Sequence, residues 1–169
     1  CERIAHLRSP RRLVAHVFEN DPRIVPLLRK NMDYCRGVLR KAGHSFECVI
    51  HEKDFILATS SGMNGQLNFD DAALDVRFNG VVMNPPYFKV RKDSRYARVM
   101  DVIVHGQPNM YAFFMALAAR LLKEEGELVA ITPRSFCNGL YFREFRRWFF
   151  RRMALDHIHL FESRTDAFR

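Results

Sequence analysis

No stretch of the 169 residues stays apolar for the roughly 18 positions that a membrane-spanning helix needs. The chain is therefore read as one that does not enter a membrane. The opening residues carry Arg3, Arg8, Arg11 and Arg12 without an apolar h-region, so no secretory leader is legible. Four cysteines, Cys1, Cys35, Cys48 and Cys137, include no CxxC pair. A domain of this size needs no disulfide staple, and a reducing, cytoplasmic setting fits. Internal repeats and low-complexity tracts are absent. Glycine is absent from residues 1–12 and first occurs at Gly37, inside a predicted helix. A chain that opens on Cys1 rather than Met reads as a piece of a longer protein.

Negative charge is also in short supply, and unevenly so. Residues 1–50 carry ten Lys/Arg against five Asp/Glu, residues 51–109 seven of each, and residues 110–169 ten against seven. The formal net charge is +8. Such a surplus favours polyanions, because each neutralised phosphate releases counterions, but many basic proteins bind no nucleic acid. His157 and His159 have the spacing that puts two side chains on one face of a strand. No third metal ligand accompanies them, so they read as ordinary strand residues and no metal is expected.

What is present alternates between strand and helix patterns. Leu13–Phe18 is a short β-branched apolar run. Asp21-Pro22 predicts a helix start, with Asp as N-cap and Pro in the first turn. Ile24, Leu28, Cys35, Val38, Leu39 and Ala42 share a face of that helix, and Gly43 ends it. Phe46–His51 is a second strand, residues 58–75 a polar loop, and Val81–Met83 a third strand, apolar enough to be buried on both faces. Residues 88–109 show no clear period. Tyr111, Phe114, Met115, Ala118, Leu121 and Leu122 make a helix face closed by Gly126. Leu128–Ile131 is a strand, Phe142–Arg152 an amphipathic helix, and Ile158, Leu160 and Phe161 belong to a last strand. This order predicts an α/β sandwich around a mostly parallel sheet. Ligands in such sheets lie beyond the carboxyl ends of the strands. Glu19, Asp54, Asn84 and Pro133 all fall there.

The most specific feature is Asn84-Pro85-Pro86-Tyr87. A given tetrapeptide of this composition occurs in roughly one chain per thousand of this length. It also stands directly after a predicted strand. Its chemistry suits a planar amino group, whose lone pair is delocalised and poorly nucleophilic. Asn84 offers a side-chain carbonyl and Pro85 a backbone carbonyl. Neither proline has an N–H to compete, and both hold the loop stiff. Two acceptors on the amino hydrogens favour a pyramidal nitrogen. Tyr87 offers a ring on which a base can stack, worth about 1–3 kcal/mol.

On these residues the chain resembles the gamma-group N6-adenine DNA methyltransferases of restriction–modification and phage-defence systems, from about residue 14 to 168. The resemblance implies the S-adenosylmethionine-dependent methyltransferase fold, a Rossmann-like three-layer sandwich. It implies that Glu19, in Val17-Phe18-Glu19-Asn20-Asp21-Pro22, binds the donor's ribose hydroxyls. Asp54 would accept the donor adenine's amino group, Phe55 would pack on its ring, and Asn84 would border the donor as well. Asn84, Pro85, Pro86 and Tyr87 would carry the chemistry on an adenine flipped out of double-stranded DNA. The stretches 109–114 and 126–136 also resemble the family, as a helix packed on the sheet and a loop edging the base pocket. Phe168 matches an aromatic that contacts the base, and Lys89, Arg91 and Lys92 are placed to grip phosphates. The family's glycine-rich turn after its first strand has no match. Residues 1–169 are therefore expected to be a partial catalytic domain that lacks the first strand, binds donor poorly or not at all, and is inactive by itself. A DNA-reading domain and a restriction nuclease, fused or separate, are the partners the family implies. Two alternatives stay open: an RNA or protein-glutamine methyltransferase using the same tetrapeptide, and a non-catalytic nucleic-acid-binding subunit that keeps the fold.

Overall fold

A computed structural model describes residues 2–60, 76–101 and 109–161. The chain divides into two compact units, Cys1–Leu74 and Asp75–Arg169.

In the first unit, α1 (Glu2–Ala5) precedes β1 (Arg12–Phe18), α2 (Val25–Lys41), β2 (Ser45–His51) and α3 (Phe55–Thr59). β1 and β2 pair in parallel, in register from Arg12↔Ser45 to Phe18↔His51. A parallel neighbour needs a crossover, and α2 supplies it. Leu39 and Val25 are its buried residues, and Gly43 ends it at φ +80°, a left-handed position suited to glycine.

The start of α2 differs from the expectation. Asp21-Pro22 forms a turn, in which the Asp21 carboxylate accepts the Arg23 N–H at 2.9 Å, and the helix opens at Val25 with Pro26 in its first turn. A helix begun at Pro22 would place Pro26 in its interior, where it lacks the N–H owed to the preceding turn. Two cysteines are free thiols, Cys48 and Cys137, whereas Cys35 on α2 is disulfide-bonded, against the expectation of no staple. The size argument shows that such a bond is not needed, not that nearby thiols stay apart.

The second unit contains β3 (Phe78–Met83), α4 (Arg95–Met100), α5 (Met110–Leu121), β4 (Leu122–Ala130), α6 (Ser135–Asn138), a 3-10 turn (Leu140–Phe142) and α7 (Arg143–Phe150). β3 and β4 are parallel, with Val81↔Leu128, Val82↔Val129 and Met83↔Ala130, and an irregularity between Phe78 and Gly80. α5 is the core of this unit. Tyr111, Ala112, Phe113, Ala116, Leu117 and Ala118 on it are essentially inaccessible. Each large side chain so buried contributes about 1.5–3 kcal/mol.

Four further expectations need correction. β3 is not buried on both faces, since Val82 is 83% exposed and its partner Val129 is exposed too. α5 stops at Leu121 and β4 follows at once. Glu125 takes φ 59°, and Gly126 leaves room that a Cβ would fill at 2.9 Å from the Lys123 carbonyl. Residues 153–161 form no strand: Ile158, Leu160 and Phe161 are exposed, with no neighbouring strand to pair with among the described residues. Four short helices, α1, α3, α4 and α6, and the 3-10 turn are further additions to the expected elements. Most of the polar loop at 58–75, and Phe168, lie outside the described residues. No described helix is long and apolar enough to cross a membrane.

Candidate active site

Asn84 follows the last residue of β3, so its position is set by the ladder to β4. The ladder continues one step further, with the Ile131 N–H donating to the Met83 carbonyl at 3.1 Å. Pro85 is buried and anchors the loop, while Asn84, Pro86 and Tyr87 are exposed. The tetrapeptide thus presents its functional groups outward from a fixed base.

Tyr87 ties this loop to the neighbouring strand end. Its hydroxyl lies 2.6 Å from Asn84 Oδ1 and donates to the Ile131 carbonyl at 2.8 Å. A phenol has one hydrogen and cannot serve both acceptors fully. The Ile131 carbonyl can only accept. The Asn84 amide can turn over and offer its NH2 to the phenol oxygen. Every group is then satisfied, and Asn84 Oδ1 faces outward as a free acceptor. Partial burial raises the Tyr87 phenol above its ordinary value, so it remains a proton donor.

Behind Tyr87, the edge of its ring meets Tyr111 at 6.3 Å and 81°. Tyr111 is fully buried on α5, packs on Phe142 at 5.2 Å, and has its hydroxyl 3.3 Å from Ser135 Oγ. Burial pushes this phenol up to about 12, only partly opposed by the Ser135 hydrogen bond. The sequence puts Tyr111 on a helix face and in the family-like stretch 109–114, but does not show its contact with Tyr87. Ile131 acts through its backbone, which leaves no signal in the side-chain sequence.

The basic segment after the tetrapeptide is less available than its composition implies. Arg91 makes two hydrogen bonds to Asp93, at 3.1 and 2.7 Å, and holds that carboxyl below its usual range. Lys89 and Lys92 remain exposed. Lys89 also bridges Asn109 through the backbone, and the Phe88 carbonyl accepts the Met110 N–H, which fixes the segment to the start of α5.

In the first unit, Glu19, Asp54 and Phe55 come together beyond the ends of β1 and β2. The Glu19 N–H donates to the His51 carbonyl at 3.1 Å, and its Oε1 accepts the Asp21 N–H at 2.8 Å. One carboxylate oxygen is thereby oriented. The other is the acceptor a pair of ribose hydroxyls would use. Asp54 is the N-cap of α3, accepting the Leu57 N–H at 3.0 Å. Phe55 meets Phe18 edge-on at 5.2 Å. The chemistry of this set, two carboxylates and an aromatic edge at strand termini, fits a nucleoside.

Sequence reasoning missed what lies beneath it. His51 stacks on Phe18 at 4.4 Å, and its Nε2 is 3.0 Å from His16 Nδ1. A register of seven pairs brings these two histidines together, and neither was marked by a motif. His157 and His159 do not share a strand face; His159 instead packs edge-on against Phe161. No cluster of three metal-ligating side chains occurs among the described residues.

Residues 26–168 match the model of the Eco57I restriction-modification methylase family. The chain is 34% identical over 165 residues to the Type II methyltransferase M.PstI of Providencia stuartii, covering 98% of this chain and 31% of that protein. It is 42% identical over 93 residues to the Type II methyltransferase M.BsuBI of Bacillus subtilis, covering 55% of this chain and 19% of that protein. The chain thus spans about a third of the length of the first relative and a fifth of the second. With its strand-end tetrapeptide set among parallel α/β elements, it belongs to the Eco57I restriction-modification methylase family.

Proposed function

We propose that the protein carrying this chain transfers a methyl group from S-adenosylmethionine to the N6 amino group of an adenine flipped out of duplex DNA, as the modification activity of a restriction–modification system. The observation that carries the reading is the Asn84–Tyr87 loop. It combines two carbonyl acceptors, no competing donor on the prolines, and a ring tied to Ile131 and backed by Tyr111. Names of the relatives, both Type II methyltransferases, support the reaction class.

The donor, when bound, supplies a methyl group on a positively charged sulfur. Glu19, Asp54 and Phe55 are the residues that would hold it. On the acceptor side, the Asn84 and Pro85 carbonyls accept the two amino hydrogens of the adenine. The N6 lone pair forms a bond to the methyl carbon as the carbon–sulfur bond breaks, and its electron pair stays on sulfur as a neutral thioether. The nitrogen is then cationic and releases one hydrogen as a proton to water. No residue need act as a base before transfer. Tyr87, neutral at working pH, stacks on the base and offsets part of the few kcal/mol that extrusion costs.

The architecture belongs to the same proposal. Each parallel pair, taken by itself, suits the Rossmann-like three-layer sandwich proposed for the whole protein. A DNA-reading domain and a nuclease are the expected partners.

The deciding experiment is transfer of tritiated methyl to duplex DNA by the full-length protein. Label recovered as N6-methyladenine, and lost in Asn84→Ala, is the expected result. Label appearing only in RNA or in a glutamine-bearing peptide would move the same chemistry to another substrate. Label nowhere, with nucleic-acid binding retained, would leave a binding subunit.

A further inference from the structure

Two of the most exposed apolar side chains of the second unit stand side by side: Leu140 is 85% exposed and Tyr141 is 69% exposed. Single exposed apolar residues are ordinary. This pair differs because its turn cannot relax inward. Arg146 is half-buried and donates from Nη1 to both the Phe136 and the Gly139 carbonyls, each at 2.9 Å. The Gly139 N–H donates to the Ser135 carbonyl at 2.9 Å, and a Cβ at position 139 would come within 2.7 Å of that same oxygen. Phe136 and Phe142, on either side of the turn, are buried. A half-buried arginine thus holds a turn that projects a leucine and a tyrosine into solvent.

The turn is also connected to the tetrapeptide within the same unit. Phe142 packs on Tyr111, and Tyr111 on Tyr87. The segment that begins at Ile131, where the Tyr87 hydroxyl is held, returns at Phe142 to the same tyrosine cluster. Arg134 and Arg143 flank the turn and are exposed. Residues 134–152 contain six arginines and one acidic residue, Glu144. An apolar pair framed by arginines has the chemistry of a side chain pushed into a base stack while its neighbours hold phosphates.

We infer that Leu140 and Tyr141 form a rigid wedge that enters duplex DNA beside the target adenine and stabilises its extruded state, with Arg143 on an adjacent phosphate. This inference rests on the proposed adenine methylation. It adds positioning residues that act on the DNA and not on the reacting nitrogen.

The test compares the full-length wild type with the Leu140→Ala/Tyr141→Ala double variant. Both changed side chains are exposed, so folding should be retained, which donor binding checks. The substrates are a paired duplex carrying the adenine that the wild type methylates, and the same duplex with an abasic site opposite that adenine. The expected result is a loss of about tenfold or more in kcat/KM on paired DNA, largely restored by the abasic partner, because extrusion from an unpaired site costs less. With 2-aminopurine at the target position, the fluorescence rise on binding should fall in parallel. A double variant equal to wild type on paired DNA overturns the wedge. So does a loss that the abasic partner fails to restore. If the wild type itself methylates no DNA, the underlying reading fails and the wedge falls with it.

Discussion

Tyr87 has two proposed roles, and the hydroxyl can be removed while the ring is kept. Its ring offers a stacking face, and its hydroxyl ties Asn84 to the Ile131 carbonyl. Tyr87→Phe keeps the face and frees the asparagine. Without the phenol, the Asn84 amide loses a partner that orders it, at a cost of about 0.5–1.5 kcal/mol for one hydrogen bond. The expected result is a fall of a few-fold up to about tenfold in kcat with little change in KM for DNA. Tyr87→Ala removes stacking as well, worth about 1–3 kcal/mol, and should weaken DNA binding in addition. Equal kinetics for the two variants would show that the ring does not stack on substrate. At this scale the sequence is most informative where the proposed role belongs to a side chain, as it does for Asn84, Tyr87 and Glu19. It was silent where a backbone carbonyl acts, as Ile131 does, or where register alone creates a contact, as between His16 and His51.

Among the elements, two short helices begin on side-chain caps. Asp54 caps α3, and Ser94 caps α4 by accepting the Ala97 N–H at 3.1 Å. Removing such a cap typically costs about 0.5–2 kcal/mol. Ser94→Ala should therefore lower stability by about 1 kcal/mol and leave donor binding unchanged. Asp54→Asn gives the opposite outcome. Asparagine caps as well as aspartate, so stability should hold, but an amide replaces the second acceptor oxygen with a donor. Donor binding, measured by calorimetry on the full-length protein, should fall about tenfold or more. Unchanged affinity would remove Asp54 from donor binding. Both helices escaped the periodicity reading for one reason: five or six residues are too few to display a repeat of 3.6. β1, β2, α2 and α5 are legible because each is long enough to show its pattern, and α2 carries Gly43 at the expected end. The last strand was misread because an apolar run marks burial or pairing without saying which, and at 153–161 neither occurs among the described residues.

Across the whole chain, the two units should respond to opposite ends of the pH scale. In the first unit, burial, the neighbouring His16 and then Lys53 depress the His51 imidazole below its ordinary 6.5. The neutral form is the one that fits the folded state. Stability is therefore complete above 6.5, begins to fall as pH drops below that value, and stops falling once pH is below the folded value. Physical sense agrees, because the 3.0 Å contact to His16 needs at least one unprotonated ring nitrogen. In the second unit, the Tyr111 phenol is raised from 10 to about 12. Its neutral form is favoured by folding, so stability is complete below 10 and is lost between 10 and about 12. Denaturant unfolding at a series of pH values should show both losses. His51→Gln should remove much of the acid loss and leave the alkaline one intact. Tyr111→Phe should do the reverse, and at neutral pH cost no more than about 1 kcal/mol, since it gives up only a long hydrogen bond to Ser135. An acid loss undiminished in His51→Gln would assign it to other groups, and a folded-state His51 resonance titrating at or above 6.5 would remove its basis altogether.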